Sequence, residues 1–174
     1  MILGLDPGQR RDPAGIAILD RLAVVHLARM PLGTSYTQVA DHAADLARGC
    51  ELLVVDAGGV GRAVLDPLAD RAPRCKLVAV TLTGGAKVHV RDGAPREVSL
   101  PRASLFQPLQ AALEAGRLRV AEGLAYGPAL AQELLAARGG PSGAESRGAG
   151  HHGDLMTAVA LAVWWQGAAR LLPA

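Results

Sequence analysis

Three aspartates occupy positions where acids are costly. Asp6 ends the apolar run ILGL, Asp56 ends LLVV, and Asp154 opens the strongly apolar stretch LMTAVALAVWW. Acids at the ends of buried elements lose hydration, so three that converge on one sheet edge require cations. Hard divalent ions such as Mg²⁺ or Mn²⁺ prefer oxygen ligands. Two such ions about 3.5–4 Å apart stabilise both the attacking and the leaving oxygen of a phosphodiester. Asp6, on the first strand, is the candidate for the shared ligand, with Asp56 and Asp154 completing the set. All three are the candidate catalytic and metal-binding residues.

Each acid also has a plainer reading. Asp6 before Pro7-Gly8 suits a turn in which the carboxylate accepts a hydrogen bond from the backbone two residues on, and Asp56 before Ala57-Gly58 suits the same turn or a helix cap. Asp154, at a helix start, suits an N-cap. Asp12 is a candidate supporting residue in the turn after the first strand. His151 and His152 precede Gly153-Asp154; His152 is a candidate for supporting the metal site, against a solvated loop end. Lys87, His89, Arg91 and Arg96 form a basic group, with Lys87, Arg91 and Arg96 the candidate DNA contacts. A solvated strand face explains them equally well. Arg102 lies close by, and Arg10 and Arg11 form a second small group.

The elements that would position these residues can be read in order. Ile2 to Leu5, Gly15 to Leu19 and Leu22 to Ala28 are strand-like runs in quick succession, an antiparallel meander with a tight connection at Asp20-Arg21. Thr37 to Arg48 carries Val39, Ala40, Ala43, Ala44 and Ala47 at helical spacing and stops at Gly49. Leu52 to Val55 is a bare apolar run, as in a strand buried on both faces. A helix to about Ala72 and a strand from Lys76 to Leu82 follow. A hairpin with its turn near Asp92-Gly93 occupies about 84–100. Helices are predicted at Ala103–Ala115, Pro128–Arg138 and Asp154–Leu171, with a short extended piece at Arg117–Val120 and a Gly/Ser-rich mobile loop over about 139–150. The order predicts an α/β fold of one domain across 1–174: a mixed central sheet, meander first and parallel strands after, flanked by helices.

Composition narrows the functions. The formal net charge is only +2 with neutral histidines, too small to argue for nucleic acid by itself. With one Phe, two Tyr and two Trp, the core is built from aliphatic residues and alanine. Cys50 and Cys75 have no metal-like spacing and suit a reducing compartment. No signal peptide is evident. The apolar stretch Met156–Trp165 falls short of the roughly 20 residues of a membrane span. GGVGRA after Asp56 is not a P-loop, since no G-x-x-x-x-G-K-[ST] occurs. No G-x-S-x-G elbow supports a serine nucleophile.

Taken in order, ILGLDPGQRRDPAGIAIL, LLVVDAGGVGRAVLDPL, SLPRASLFQPLQAALEAGRLRV and HHGDLMTAVALAVWW resemble the nuclease domain of phage terminase large subunits over nearly the whole chain. The most specific pieces are VVDAGGVGRAVLDPL and HGDLMTAVALA. The resemblance implies a ribonuclease-H-like fold, two divalent ions, Asp6, Asp56 and Asp154 as the catalytic acids, and cutting of concatemeric phage DNA during packaging. It further implies that the hairpin lies beside the active site, where it restricts or guides double-stranded DNA. The implied partners are a terminase ATPase domain or subunit, the small terminase subunit and the portal, in the host cytoplasm with no membrane association. One departure stands out: no ATPase motor precedes the nuclease sequence, which points to an excised or split domain or a prophage remnant. Two other readings stay open. One keeps the fold and changes the substrate, to a Holliday junction or an RNA–DNA hybrid. The other is a non-catalytic module that docks on a packaging motor or portal, with Trp164 and Trp165 as a candidate contact, although tryptophans in so apolar a helix are more often core residues.

Overall fold

The computed structural model describes residues 1–8, 12–71, 74–138 and 153–168. Arg10, Arg11, His151, His152 and the Gly/Ser-rich loop at 139–150 lie outside the described residues.

The chain forms strands β1 (Ile2–Asp6), β2 (Ala14–Asp20) and β3 (Ala23–Met30), then helix α1 (Tyr36–Leu46). Strand β4 (Leu52–Asp56), helix α2 (Arg62–Asp70) and strand β5 (Lys76–Thr83) follow. Strands β6 (His89–Arg91) and β7 (Arg96–Pro101) make the hairpin. Helix α3 (Arg102–Glu114), strand β8 (Arg119–Val120), helix α4 (Gly127–Arg138) and helix α5 (Asp154–Ala168) complete the described chain.

All eight strands join one sheet in the order β6-β7-β5-β4-β1-β2-β3-β8. β1 to β3 pair antiparallel as the expected meander, and β1, β4, β5 and β7 pair parallel. A meander at one side of a parallel run, in the order β3-β2-β1-β4-β5, is the mixed sheet expected from the sequence. β3 extends two residues past Ala28, because its pairing with β2 continues through Gly15–Arg29 to Ala14–Met30.

Each face of the sheet has its own core. One buries Leu3, Leu5, Ile16, Leu53 and Val55 with Val39, Ala40 and Ala43 of α1 and Val64, Leu65 and Leu68 of α2. The other buries Ala17, Leu19, Val54, Val78 and Val80 under α5, with Leu105 and Leu109 of α3 and Leu130 of α4. The side chains of a strand alternate between faces, so both cores draw on the same strands. α1 begins with a capping box: Gln38 N–H donates to Ser35 Oγ (3.2 Å) and Ser35 N–H donates to Gln38 Oε1 (3.0 Å).

Helix α5 crosses the centre of the sheet with nearly every side chain buried. Glycine makes this approach possible. A Cβ on Gly4 would be driven into the Ala158 carbonyl oxygen, and one on Gly15 would lie 2.5 Å from the Asp154 carbonyl oxygen. Trp164 is buried and stacks edge-on with Trp165 at 5.9 Å, so it serves the core. Among the described residues no helix is long and apolar enough to cross a membrane.

Candidate active site

Strand register assembles the site. Asp6 pairs with Gly15 across β1–β2, and Gly15 pairs with Arg29 across β2–β3. On the other side, Asp56 lies one residue beyond the Leu5–Val55 pair and therefore beside Asp6. Partners in one row of a sheet point to the same face. Gly4, two residues before Asp6, faces α5, while Val54 and Leu27 pack in the α5-side core two residues before Asp56 and Arg29. The row Arg29–Gly15–Asp6–Asp56 thus looks toward α5, whose first residue, Asp154, rests on Gly15.

Among the described residues the acids at one end of this row have no cation in contact. Asp6 Oδ1 accepts the Gly8 N–H at 3.0 Å, and Asp56 Oδ1 accepts the Gly58 N–H at 2.8 Å. Both turns anticipated as the plainer reading therefore form, and each uses one carboxylate oxygen. Burial pushes the Asp6 carboxyl up to about 7, and the Asp56 and Asp154 charges add to that; the Gly8 N–H and the Thr157 hydroxyl oppose it. Burial likewise raises Asp56, opposed by the Gly58 N–H and the positive charge of Arg102. Neither acid makes an ion pair among the described residues.

Asp154 stands differently. It is the first residue of α5 rather than its cap; the Gly153 carbonyl accepts the Thr157 N–H at 2.8 Å, with the Thr157 hydroxyl at 2.9 Å. Its carboxylate is gripped by Arg29, Nε to Oδ2 at 2.8 Å and Nη2 to Oδ1 at 3.3 Å. Arg29 Nη2 also donates to Glu133 Oε1. Glu133 is buried, and its Oε2 accepts the Met156 N–H at 2.8 Å. That bond satisfies one of the free donors in the first turn of α5. Burial raises the Glu133 carboxyl, the Asp154 charge adds to the rise, and the Met156 N–H and Arg29 act against it. A guanidinium therefore already neutralises Asp154.

Arg29 and Glu133 were not singled out from the sequence, although both left a trace. Leu130, Glu133 and Leu134 share a helical face, so an acid falls between a buried leucine and a half-buried one. Arg29 continues the inward-facing positions of β3 after Leu27. Arg102, noted only as one of several arginines, is the cation whose charge reaches Asp56; it is exposed and stands over the Phe106 ring at 5.6 Å.

Asp12 is half-buried, and its carbonyl oxygen packs against Gly8. The hairpin occupies the sheet edge, with β5 between it and β4. Its turn reaches the opposite end from the acids: Pro95 shares a groove with Ile2, Leu52 and Lys76, which begin β1, β4 and β5. β7 runs parallel to β5, so it starts at that far end and finishes, at Pro101, on the end of the sheet that carries Asp56. Arg91 pairs with Glu97, and Arg96 pairs with Asp92 at 2.7 Å. Lys87 is exposed and makes no ion pair among the described residues.

Among the described residues, no three His, Cys, Asp or Glu side chains gather closely enough to hold a metal ion in this conformation. Asp6 and Asp56 nevertheless suit a hard cation: they are adjacent, each carries an oxygen beyond its turn hydrogen bond, and they repel when ionised. Asp154 suits the same role once its oxygens leave Arg29.

No protein-family model and no curated protein sequence matches the chain. The fold is similar to that of T. thermophilus RuvC in complex with Holliday junction substrate, with 13% identity over 98% of this chain and 94% of that one and a TM-score of 0.42. At that similarity the fold assignment rests on the strand order, and no residue role passes between the two proteins.

Proposed function

We propose that this chain is a divalent-metal-dependent endonuclease of the ribonuclease-H-like kind that hydrolyses DNA phosphodiesters. The observation that carries the reading is geometric: strand register sets Asp6 beside Asp56, with Asp154 over the same row at the start of α5, and burial with the charges of Asp56 and Asp154 pushes the Asp6 carboxyl up to about 7. Such a group is poised to exchange its proton for a cation.

Asp6 and Asp56, together with Asp154 once Arg29 releases it, would hold the ions. When bound, these ions supply Lewis-acid stabilisation of the attacking and leaving oxygens. The chain fixes the geometry. The Gly8 and Gly58 N–H groups orient the two carboxylates so that one oxygen of each is directed away from its turn. The N-terminus of α5 contributes a positive end that favours anions nearby. Arg102 offers an exposed guanidinium to the DNA backbone on the Asp56 side.

The finer reading is a terminase-type nuclease that cuts concatemeric phage DNA. Its support is the resemblance of VVDAGGVGRAVLDPL and HGDLMTAVALA, with an ATPase domain or subunit, small terminase subunit and portal as partners. Supercoiled plasmid incubated with Mn²⁺, Mg²⁺ or EDTA tests the activity, beside Asp6→Ala and Asp154→Ala proteins shown to be folded. Metal-dependent nicking and linearisation lost in both variants is the expected result. Cleavage that persists in EDTA, or in both variants, refutes it. A four-way junction cut in preference to linear duplex would move the substrate from packaging DNA to recombination intermediates.

A further inference from the structure

We infer that Arg29 and Glu133 form a latch on Asp154, withholding it from a cation until Arg29 swings away. The inference rests on the metal-dependent reading above and concerns how its second ion is admitted.

Arg29 engages both Asp154 oxygens. A guanidinium fork and a divalent ion want the same lone pairs, so the two compete for Asp154. Glu133 gives the displaced arginine a place to remain. Its Oε1 meets Arg29 while Oε2 is fixed to the Met156 N–H of α5, so the acceptor stays put whether or not Asp154 is engaged. Burial identifies the moving member. The Asp154 and Glu133 side chains are 3% and 2% exposed, whereas Arg29 keeps 27%. The two acids are locked in the core, and the arginine borders solvent. With Arg29 engaged, Asp154, Glu133 and Arg29 carry one net negative charge; with Arg29 withdrawn, a second ion replaces the charge it took from Asp154.

It follows that the two ions bind with different affinities. The first goes to Asp6 and Asp56, and the second must displace Arg29. Competition is reciprocal, so weakening the latch strengthens the second ion by the same factor.

Calorimetric titration of Mn²⁺ into folded wild-type, Arg29→Gln, Arg29→Lys and Glu133→Gln proteins tests the latch without measuring cleavage. In Arg29→Gln a second binding phase should appear, or tighten about tenfold. Arg29→Lys, a single ammonium that cannot fork across two carboxylates, should fall between it and the wild type. Glu133→Gln should loosen the second phase, because Arg29 is then left with Asp154 alone. An Arg29→Gln isotherm superimposable on the wild type would overturn the latch and leave Arg29 as a structural ion pair. If Arg29→Gln does not fold, the Glu133→Gln titration decides, and an unchanged second phase there overturns the latch. Absence of Mn²⁺ binding in every protein would overturn the metal-dependent reading together with the latch, whereas one unchanged phase in all of them removes the latch alone.

Discussion

The two ends of the row Arg29–Gly15–Asp6–Asp56 solve the same electrostatic problem in opposite ways. Asp154 and Glu133 are the more deeply buried acids, and they share a guanidinium held in place by three described bonds. Asp6 and Asp56 each receive one backbone N–H, with the Thr157 hydroxyl also acting on Asp6, and have no contacting cation among the described residues. A carboxylate that serves the fold is neutralised when the chain folds. One left short of positive charge stores a cost that an arriving ion relieves. The asymmetry therefore separates an end whose acids are ion-paired from an end whose acids make no ion pair among the described residues.

Neutralising each end in turn gives the largest expected effect. Asp154→Asn keeps the size of the side chain but leaves Arg29 with Glu133 alone. Breaking a buried pair costs about 3–5 kcal/mol. Because Arg29 keeps 27% exposure, the expected loss is nearer about 2 kcal/mol. Asp6→Asn should do the reverse at pH 8 in EDTA. The new Oδ1 still accepts the Gly8 N–H, and a destabilised charge is gone, so stability stays level or rises. Urea unfolding of both variants checks the contrast. Equal destabilisation would mean that the two ends are compensated alike.

A pH series sharpens the same point with a smaller effect. The Asp6 carboxyl is raised from 3.8 to about 7, so the folded state holds its proton more tightly than the unfolded chain does. The stabilisation from that proton is fully present below 3.8 and is lost as pH rises through about 7. Asp56 and Glu133 are raised too and act in the same direction. In EDTA the Tm should fall between pH 5 and pH 8, and part of that slope should vanish in Asp6→Asn. The gain in Tm from Mn²⁺ should grow over the same interval, because the metal competes with the proton. A metal gain that does not change with pH would remove Asp6 as the titrating ligand.

The sequence was most legible where an element ends in an acid. ILGL-Asp6 and LLVV-Asp56 mark strand ends by composition, and Asp154 marks the start of an apolar helix; the strands and helices fall within a few residues of those readings. The cation was not legible. Arg29 is 125 residues from Asp154, and the strand that carries it read as ending at Ala28. Only pairing with β2 carries that strand on to Met30. Glu133 was hidden for another reason. Its helix has a weakly marked apolar face, so an inward acid looks like an ordinary surface one until α5 is laid beside it. Spacing along the chain reports local periodicity, whereas a charge network among β3, α4 and α5 is a property of the packed tertiary structure.

The smallest effect concerns DNA, and it contrasts two groups of arginines. Arg91 and Arg96 answer Glu97 and Asp92 on the hairpin, at the sheet edge away from the acids. Exposed pairs of this kind contribute little to stability, and each cation must leave its partner before it can meet a phosphate. Arg102 makes no ion pair among the described residues, is steadied over Phe106, and projects its charge to Asp56. Each phosphate neutralised on a duplex adds about 0.9 to the slope of log K against log salt. Arg102→Ala should therefore weaken binding to a linear duplex and reduce that slope by about one, with little dependence on sequence. Arg91→Ala should leave the slope unchanged within error. Fluorescence anisotropy over a range of KCl, in Ca²⁺ rather than Mn²⁺ to suppress cleavage, measures both. If Arg91→Ala lowers the slope and Arg102→Ala does not, the DNA path runs over the hairpin and the Asp56 end of the row faces away from it.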